Sequence, residues 1–173
     1  MKKIGLLSDT HGYLDPTIFK HFDQCDEIWH AGDIGPGDII KQLSDFRTTK
    51  AVFGNIDDRT MTRQLPEDLR FSVEGLDVFI THIGGYPGRY NSRIRQLMEQ
   101  NPPGLFICGH SHILKVMYDK KYHCLHMNPG ACGHHGFHKV RTVLRFDVEA
   151  GKVQNAAVIE LGQRGQLSGY RRK

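Results

Sequence analysis

The chain has 173 residues, 39% hydrophobic and 24% charged, with 23 basic against 19 acidic residues and a net charge of +4. That length supports one domain with a real core, and the composition excludes disordered, fibrous and disulfide-scaffold classes. The near balance of charge argues against nucleic acid or a membrane surface as the partner.

In chain order, the first apolar run is Ile4–Leu7, followed at once by Asp9 and His11. Asp15-Pro16 then opens a helix through Phe19 and Phe22, with Asp15 placed to cap it and Pro16 in its first turn. A second run, Glu27–Ala31, leads through Gly32 to Asp33, and Pro36-Gly37-Asp38 starts a helix carrying Ile39, Ile40 and Leu43. Strand, helix and strand at this spacing predict a right-handed βαβ unit. A third run, Ala51–Phe53, leads through Gly54 to Asn55.

The middle of the chain changes character. Residues 71–79 read as two strands about a turn at Gly75, with Val78–Thr81 running on to His82. A helix through Ile94, Leu97 and Met98 is stopped by Asn101-Pro102-Pro103-Gly104. The run Leu105–Cys108 then leads through Gly109 to His110 and His112. Alternation dominates from Lys115 onward, and 140–146 with 153–161 form a hairpin about Glu149-Ala150-Gly151-Lys152. Parallel units first and antiparallel strands later predict an α/β fold, a two-sheet sandwich flanked by helices. The domain is expected over residues 1–162, with a basic, flexible tail over 163–173 closing in Tyr170-Arg171-Arg172-Lys173.

Cys25, Cys108, Cys124 and Cys132 show no Cys-x-x-Cys spacing and read as reduced thiols. The apolar stretch after Lys2-Lys3 ends at Ser8-Asp9, too short for an export signal, and no later run approaches a membrane span. The expectation is a cytoplasmic protein.

Five strand ends thus carry metal-type side chains: Asp9 and His11, Asp33, Asn55, His82, and His110 and His112. In an open α/β sheet, ligands bind outside the carboxyl ends of the strands. If these runs are neighbouring strands, seven donors converge, enough for two metal ions. Gly32, Gly54 and Gly109 sit immediately before a donor, where a missing Cβ allows close backbone approach. The x spacing in Asp9-x-His11 and His110-x-His112 puts both side chains on one side of extended backbone. If the chain is already leaving the strand, each pair reaches two adjacent ions instead. The set carries carboxylate, amide and imidazole but no thiolate, which suits Mn²⁺, Fe, Zn²⁺ or Ni²⁺ rather than Ca²⁺.

The ordered motifs SDTHG, AGDIG, GNID, THIGG and GHSH, with a late NPGA at 128–131, resemble the calcineurin-like metallophosphoesterase superfamily and its small single-domain phosphodiesterase branch. The resemblance implies an α/β/β/α four-layer fold and a dinuclear centre with Mn²⁺ as the leading metal. It implies Asp9, His11 and His112 on one ion, Asn55, His82 and His110 on the other, and Asp33 bridging both. The implied activity is hydrolysis of a small phosphoester by attack of metal-bound hydroxide, with Asp33, Asn55 and Asp57 as catalytic residues. Many superfamily members carry His where this chain has Ile56, and that His helps protonate the leaving oxygen. Slow turnover is therefore expected unless the leaving group is a good one, such as an aryl oxide. The alternative is a weakly catalytic or non-catalytic interaction scaffold similar to the retromer scaffold subunit. Exposed sheet edges are compatible with a homo-oligomer.

Weaker signals accompany these. His134 or His135 could touch substrate, Arg59, Arg89 and Arg93 could grip phosphate, and His30 reads as a hydrogen-bonded core residue. The crowding of His123, Cys124, His126, Cys132, His134, His135 and His138 lacks the paired spacing of a zinc finger.

Overall fold

A computed structural model describes residues 1–165. Ten strands form two five-stranded sheets. The first sheet has the order β10-β9-β1-β2-β3: β1 Lys2–Leu7, β2 Glu27–His30, β3 Thr48–Ala51, β9 Val140–Glu149 and β10 Lys152–Gln163. The second has the order β4-β5-β6-β8-β7: β4 Asp68–Val73, β5 Leu76–Thr81, β6 Leu105–Ile107, β7 Leu114–Asp119 and β8 Cys124–Pro129. Four short helices connect them: α1 Thr17–His21, α2 Ile39–Phe46, α3 Arg59–Gln64 and α4 Ser92–Gln100.

Side chains alternate across each strand, and the alternation builds the layers. Leu6, Trp29, Val78, Ile80, Ile107, Met127 and Phe146 point between the sheets and form the central core. Their neighbours Leu7 and Ile28 point outward, where Ile18 and Phe22 of the α1 region and Ile39 and Leu43 of α2 cover them. On the opposite outer face, Phe79 and Phe106 receive Ile94 and Met98 of α4. Burial of each such side chain is worth about 1.5–3 kcal/mol. The result is the four-layer sandwich read from the sequence.

Both sheets are mixed. β1, β2 and β3 pair in parallel, but the C-terminal hairpin returns to the same sheet, with β9 antiparallel to β1. In the second sheet, β5, β6 and β8 are parallel, and β4 and β7 are antiparallel edges. The hairpin is pinned at its base: Arg141 Nη1 donates to Asp15 Oδ2 at 2.6 Å, and both side chains are buried. Asp15 also accepts from the amide and hydroxyl of Thr17 just ahead of α1, whose N-cap position falls on Pro16 rather than on Asp15 as expected.

Two element assignments need correction. The third strand runs over 48–51 rather than 51–53, because β-branched Thr48 and Thr49 pair with Glu27 and Ile28. The chain is already leaving the sheet at Phe53, whose amide donates to Pro66 O. α3 was not foreseen; Asp58 caps it by accepting from the amides of Thr60 and Met61. Of the expected tail, Gln163 belongs to β10, and residues 166–173 lie outside the described residues. Among the described residues no helix is long and apolar enough to cross a membrane.

Candidate metal centre

The loops after β1, β2, β3, β5 and β6 all emerge at the carboxyl ends of their strands, and backbone bonds lock them together. The amide of Asp9 donates to Gly32 O and that of His11 to Asp33 O, each at 3.0 Å. The amide of Gly109 donates to His82 O, also at 3.0 Å, which joins the β5 and β6 loops. Thr10 Oγ1 adds a donation to Ile34 O at 2.8 Å.

These loops bring six of the seven predicted donors into two groups. Asp9, His11 and His112 form one, and Asp33, His82 and His110 the other; within each, the donor atoms lie within 4.8 Å of one another. His112 Nε2 is 3.0 Å from Asp9 Oδ1, and His11 Nε2 is 3.2 Å from His112 Nε2. Asp33 stands between the groups: its Oδ1 is 3.1 Å from His82 Nε2 and its Oδ2 is 3.7 Å from His11 Nε2. Asn55, the seventh, is exposed after β3 and shares a cleft with Thr81 and His82.

The sequence allowed extended backbone at the two x-spaced pairs. Of the two readings left open the structure selects the chain that has left its strand, since Asp9, His11, Asp33, His110 and His112 all have positive φ, between 46° and 66°, and His110 and His112 fall in different groups while Asp9 and His11 share one. Each non-glycine residue held there costs on the order of 1–3 kcal/mol and persists only where its surroundings over-determine it. The interlocked amides supply that constraint, and each donor is turned inward from a chain that has left its strand.

The glycines act by close approach. At Gly32, with φ of +91°, a Cβ would lie 2.7 Å from His82 Nδ1. At Gly54 it would overlap the Asp33 carboxylate and amide. Any side chain at either position displaces a donor.

A divalent cation fits this arrangement on three observations. Asp9 and Asp33 are buried, and their ion pairs among the described residues are with histidines alone. Buried carboxylates without a fixed cation are costly. Asp9 Oδ1 and His82 Nε2 are buried atoms without a hydrogen-bond partner. Finally, two donors about 2.1 Å from one ion in tetrahedral array lie roughly 3.4 Å apart, close to the His11–His112 spacing.

Outer contacts fix the donors. His82 Nδ1 lies 2.8 Å from Ala31 O; carrying the proton there leaves the Nε2 lone pair facing Asp33. His30 Nδ1 accepts from the Gly32 amide at 3.1 Å and its Nε2 meets Thr10 Oγ1 at 3.0 Å, so this core histidine shapes the Asp33 turn. Asn128 donates to Gly109 O and Ser111 Oγ and accepts from Gly130, pinning the loop of His110 and His112. Asp57 takes no place among the converging donors. Its carboxylate accepts from the amides of Gly54, Ile34 and Gly35, tying the Asn55 loop to the Asp33 loop as a positioning residue.

Charge follows the geometry. Burial would raise the Asp33 pKa, but the close contact with His82 and its attraction, with the Ile56 amide, hold it below the usual carboxylate value. Burial is the largest influence on His82 and opposes its charged form, but the Asp33 contact, the charges of Asp9 and Asp33 and the Ala31 carbonyl together outweigh it and raise the pKa. Both shifts favour a positive group between these two side chains. Burial lowers the pKa of His11 against the pull of Asp33 and Asp9.

Among the weaker candidates, the His135 ring lies 4.8 Å from that of His11, at the rim of the site. His134 is turned away against Tyr13 and Arg164 O. Arg93 is engaged by Asp68 and Thr81, Arg59 begins α3, and Arg89 lines a cavity beside His110. The histidine-rich stretch gathers no third cluster of donors among the described residues.

The sequence profile of the calcineurin-like phosphoesterase superfamily domain matches residues 1–151. A protein of Methanothermobacter thermautotrophicus named as a probable metallophosphoesterase is 30% identical over 114 residues; the match spans 63% of this chain and 66% of that protein. A phosphodiesterase of Methanocaldococcus jannaschii is 26% identical over 147 residues, covering 75% of this chain and 84% of the relative. In structure, Chaetomium thermophilum Vps29 superposes with a TM-score of 0.71 at 15% identity, covering 93% of this chain and 97% of Vps29. That likeness establishes the fold alone.

Proposed function

The chain belongs to the calcineurin-like phosphoesterase superfamily, and on that premise we propose that it is a dinuclear-metal phosphodiesterase. The observation that carries this reading is Asp33, which turns one carboxylate oxygen toward each of the two donor groups. Asp9, His11 and His112 would hold one ion, and Asn55, His82 and His110 the other, with Asp33 shared. Mn²⁺ suits this oxygen and nitrogen set, which contains no thiolate. When bound, such a pair of ions supplies Lewis-acid polarisation of the phosphoryl oxygens and activates water.

The reaction is hydrolysis. Water oxygen bonds to phosphorus, the bond from phosphorus to one alcohol oxygen breaks, and an alcohol and a phosphomonoester leave. The His82 Nδ1 contact to Ala31 fixes the imidazole that faces the reacting centre, and Asp57 keeps the Asn55 and Asp33 loops in register. Ile56 follows Asn55 on the exposed rim, where its side chain offers the departing oxygen no proton. Low-pKa leaving groups such as aryl oxides are therefore the substrates of choice for fast turnover. Four buried, free cysteines support a reducing, cytoplasmic setting.

A second reading, an interaction scaffold on the same fold, draws on one feature. The edge strand β7 exposes Val116, Met117 and Tyr118. Purified protein loaded with Mn²⁺ separates the two. Hydrolysis of an aryl phosphodiester, abolished by chelation and restored by Mn²⁺, is the expected result. Full metal loading without hydrolysis leaves the scaffold.

A further inference from the structure

Against the His110 side of the centre lies a cavity of about 380 Å³, within the roughly 300–1,000 Å³ typical of small-molecule pockets. The loop between β5 and α4 gives it Ile83, Tyr86 and Arg89, the loop after β6 gives Ile113, and Lys115 of β7 and His126 of β8 complete it. Ile83, Tyr86 and Ile113 are large apolar side chains left exposed, Ile113 at 61%. Three of these around one cavity next to a candidate metal donor, His110, mark a surface that a ligand would cover.

Two cations belong to the same cavity. Lys115 Nζ lies 3.9 Å from the centroid of the Tyr86 ring, and Arg89 lines the same cavity. The ion pairs of lysine and arginine among the described residues involve Lys41, Lys50, Arg70, Arg93 and Arg141. Arg89 and Lys115 thus keep their charge for a ligand.

His126 of β8 closes the cavity from the inside. It is 1% exposed, lines the cavity, and its Nδ1 has no hydrogen-bond partner. Burial holds its pKa down at about 4, so at neutral pH the ring is uncharged.

We propose that this cavity receives one of the two alcohol groups of a phosphodiester, and that this group is a flat aromatic ring system bearing an acidic substituent. The assignment rests on the phosphodiesterase reading of the adjoining centre. Ring burial removes Ile83, Tyr86 and Ile113 from water, and the acidic substituent meets Arg89 and Lys115.

Two measurements test it. The first is calorimetric titration of the full chain with naphthalene-2-sulfonate, an aromatic acid that the centre cannot cleave. One molecule per chain is expected in both chelator-treated and Mn²⁺-loaded protein, with affinity lowered about tenfold or more by Tyr86→Ala, Arg89→Gln or Ile113→Ser. Ile113 is exposed enough that its change leaves the fold intact. Absence of saturable binding, or binding indifferent to all three changes, overturns the pocket.

The second measurement compares p-nitrophenyl phosphodiesters that share a leaving group and differ in the other alcohol, methyl against sulfonated naphthyl. The naphthyl ester should show a KM lower by about tenfold or more. Cleavage of both with equal KM overturns the assignment. Sulfonate binding by a protein that cleaves neither ester keeps the pocket and defeats the phosphodiesterase reading.

Discussion

His82 Nε2 and Asp33 Oδ1 face each other across 3.1 Å, with each side chain only 3% exposed. Each raises the preference of the other for its charged form. A buried contact of this kind favours positive charge between the partners, and removing either charge removes that preference.

Asp33→Asn keeps the shape of the side chain and deletes one anionic oxygen. The neutral amide cannot serve both donor groups, so metal content should fall from two ions per chain to one or fewer. The loss in kcat is expected on the order of 10²–10³-fold. Elemental analysis beside rates on an aryl phosphodiester checks this, and full loading with wild-type rates would defeat the shared role of Asp33.

Gly54→Ala attacks the same carboxylate from behind. Its Cβ would overlap the Asp33 side chain and amide, and relief requires a backbone shift costing about 1–3 kcal/mol. The fold should survive, while metal affinity falls about 10–100-fold, as when the surroundings of a ligand are disturbed. Circular dichroism with metal titration separates these effects. Unchanged metal affinity in a folded variant would sink the argument.

Asp57→Ala removes the acceptor of three backbone amides, those of Ile34, Gly35 and Gly54. Unsatisfied donors cost about 1–3 kcal/mol each, less where water enters. A net loss of roughly 3 kcal/mol should lower the melting temperature by about 6–12 °C for a chain of this length. Thermal melts of chelator-treated protein isolate this from any change in metal binding. A melting temperature within a degree or two of wild type would show that water satisfies these amides.

How far these features could be read from the sequence varies with their physical origin. The strand ends were readable because each apolar run stops abruptly at a glycine or a polar residue. Val52 and Phe53 misled the placement of β3, since they are apolar for loop and core packing beyond the sheet. α3 carries no buried residue, so it has no apolar period to detect. The left-handed backbone of Asp9, His11, Asp33, His110 and His112 had no signal either: Asp and His take it more readily than most residues but still rarely, and here long-range bonds impose it. Asp57 was ambiguous: an Asp after Gly-Asn reads equally as a turn former or a site carboxylate. The partners of its oxygens, amides of two different loops, are visible only in three dimensions.

His126 gives stability a pH dependence. Burial holds its folded pKa at about 4, against 6.5 for the free group. Below pH 6.5 the unfolded chain takes up a proton that the fold excludes. Stability is therefore fully present above 6.5, declines as pH falls toward 4, and loses roughly 3 kcal/mol over that window. His30, also pushed down to about 4 by burial, contributes in the same range. Urea midpoints of chelator-treated protein between pH 4.5 and 7 should fall with acidity, and less steeply in His126→Leu. Equal slopes would mean that His126 titrates in the fold as it does in the unfolded chain.

The last prediction concerns Ile56, whose amide donates to Asp33 Oδ1 at 3.1 Å while its side chain is exposed. The backbone at this position is fixed against the centre, so its side chain lies at the rim where an alcohol would depart. An alkyl alkoxide leaves poorly without a proton, whereas an aryl oxide needs little help. Wild-type protein should therefore cleave p-nitrophenyl diesters far faster than dialkyl diesters, because an absent general acid costs about 10²–10⁴-fold where it is needed. Ile56→His places an imidazole there with no change in the backbone bond to Asp33. It should speed alkyl ester cleavage by about tenfold or more and leave aryl ester rates nearly unchanged, shrinking the ratio between them. A ratio the same in both proteins would mean that the leaving oxygen is protonated from another direction, and His135, beside His11 on the opposite loop, would be the residue to change next.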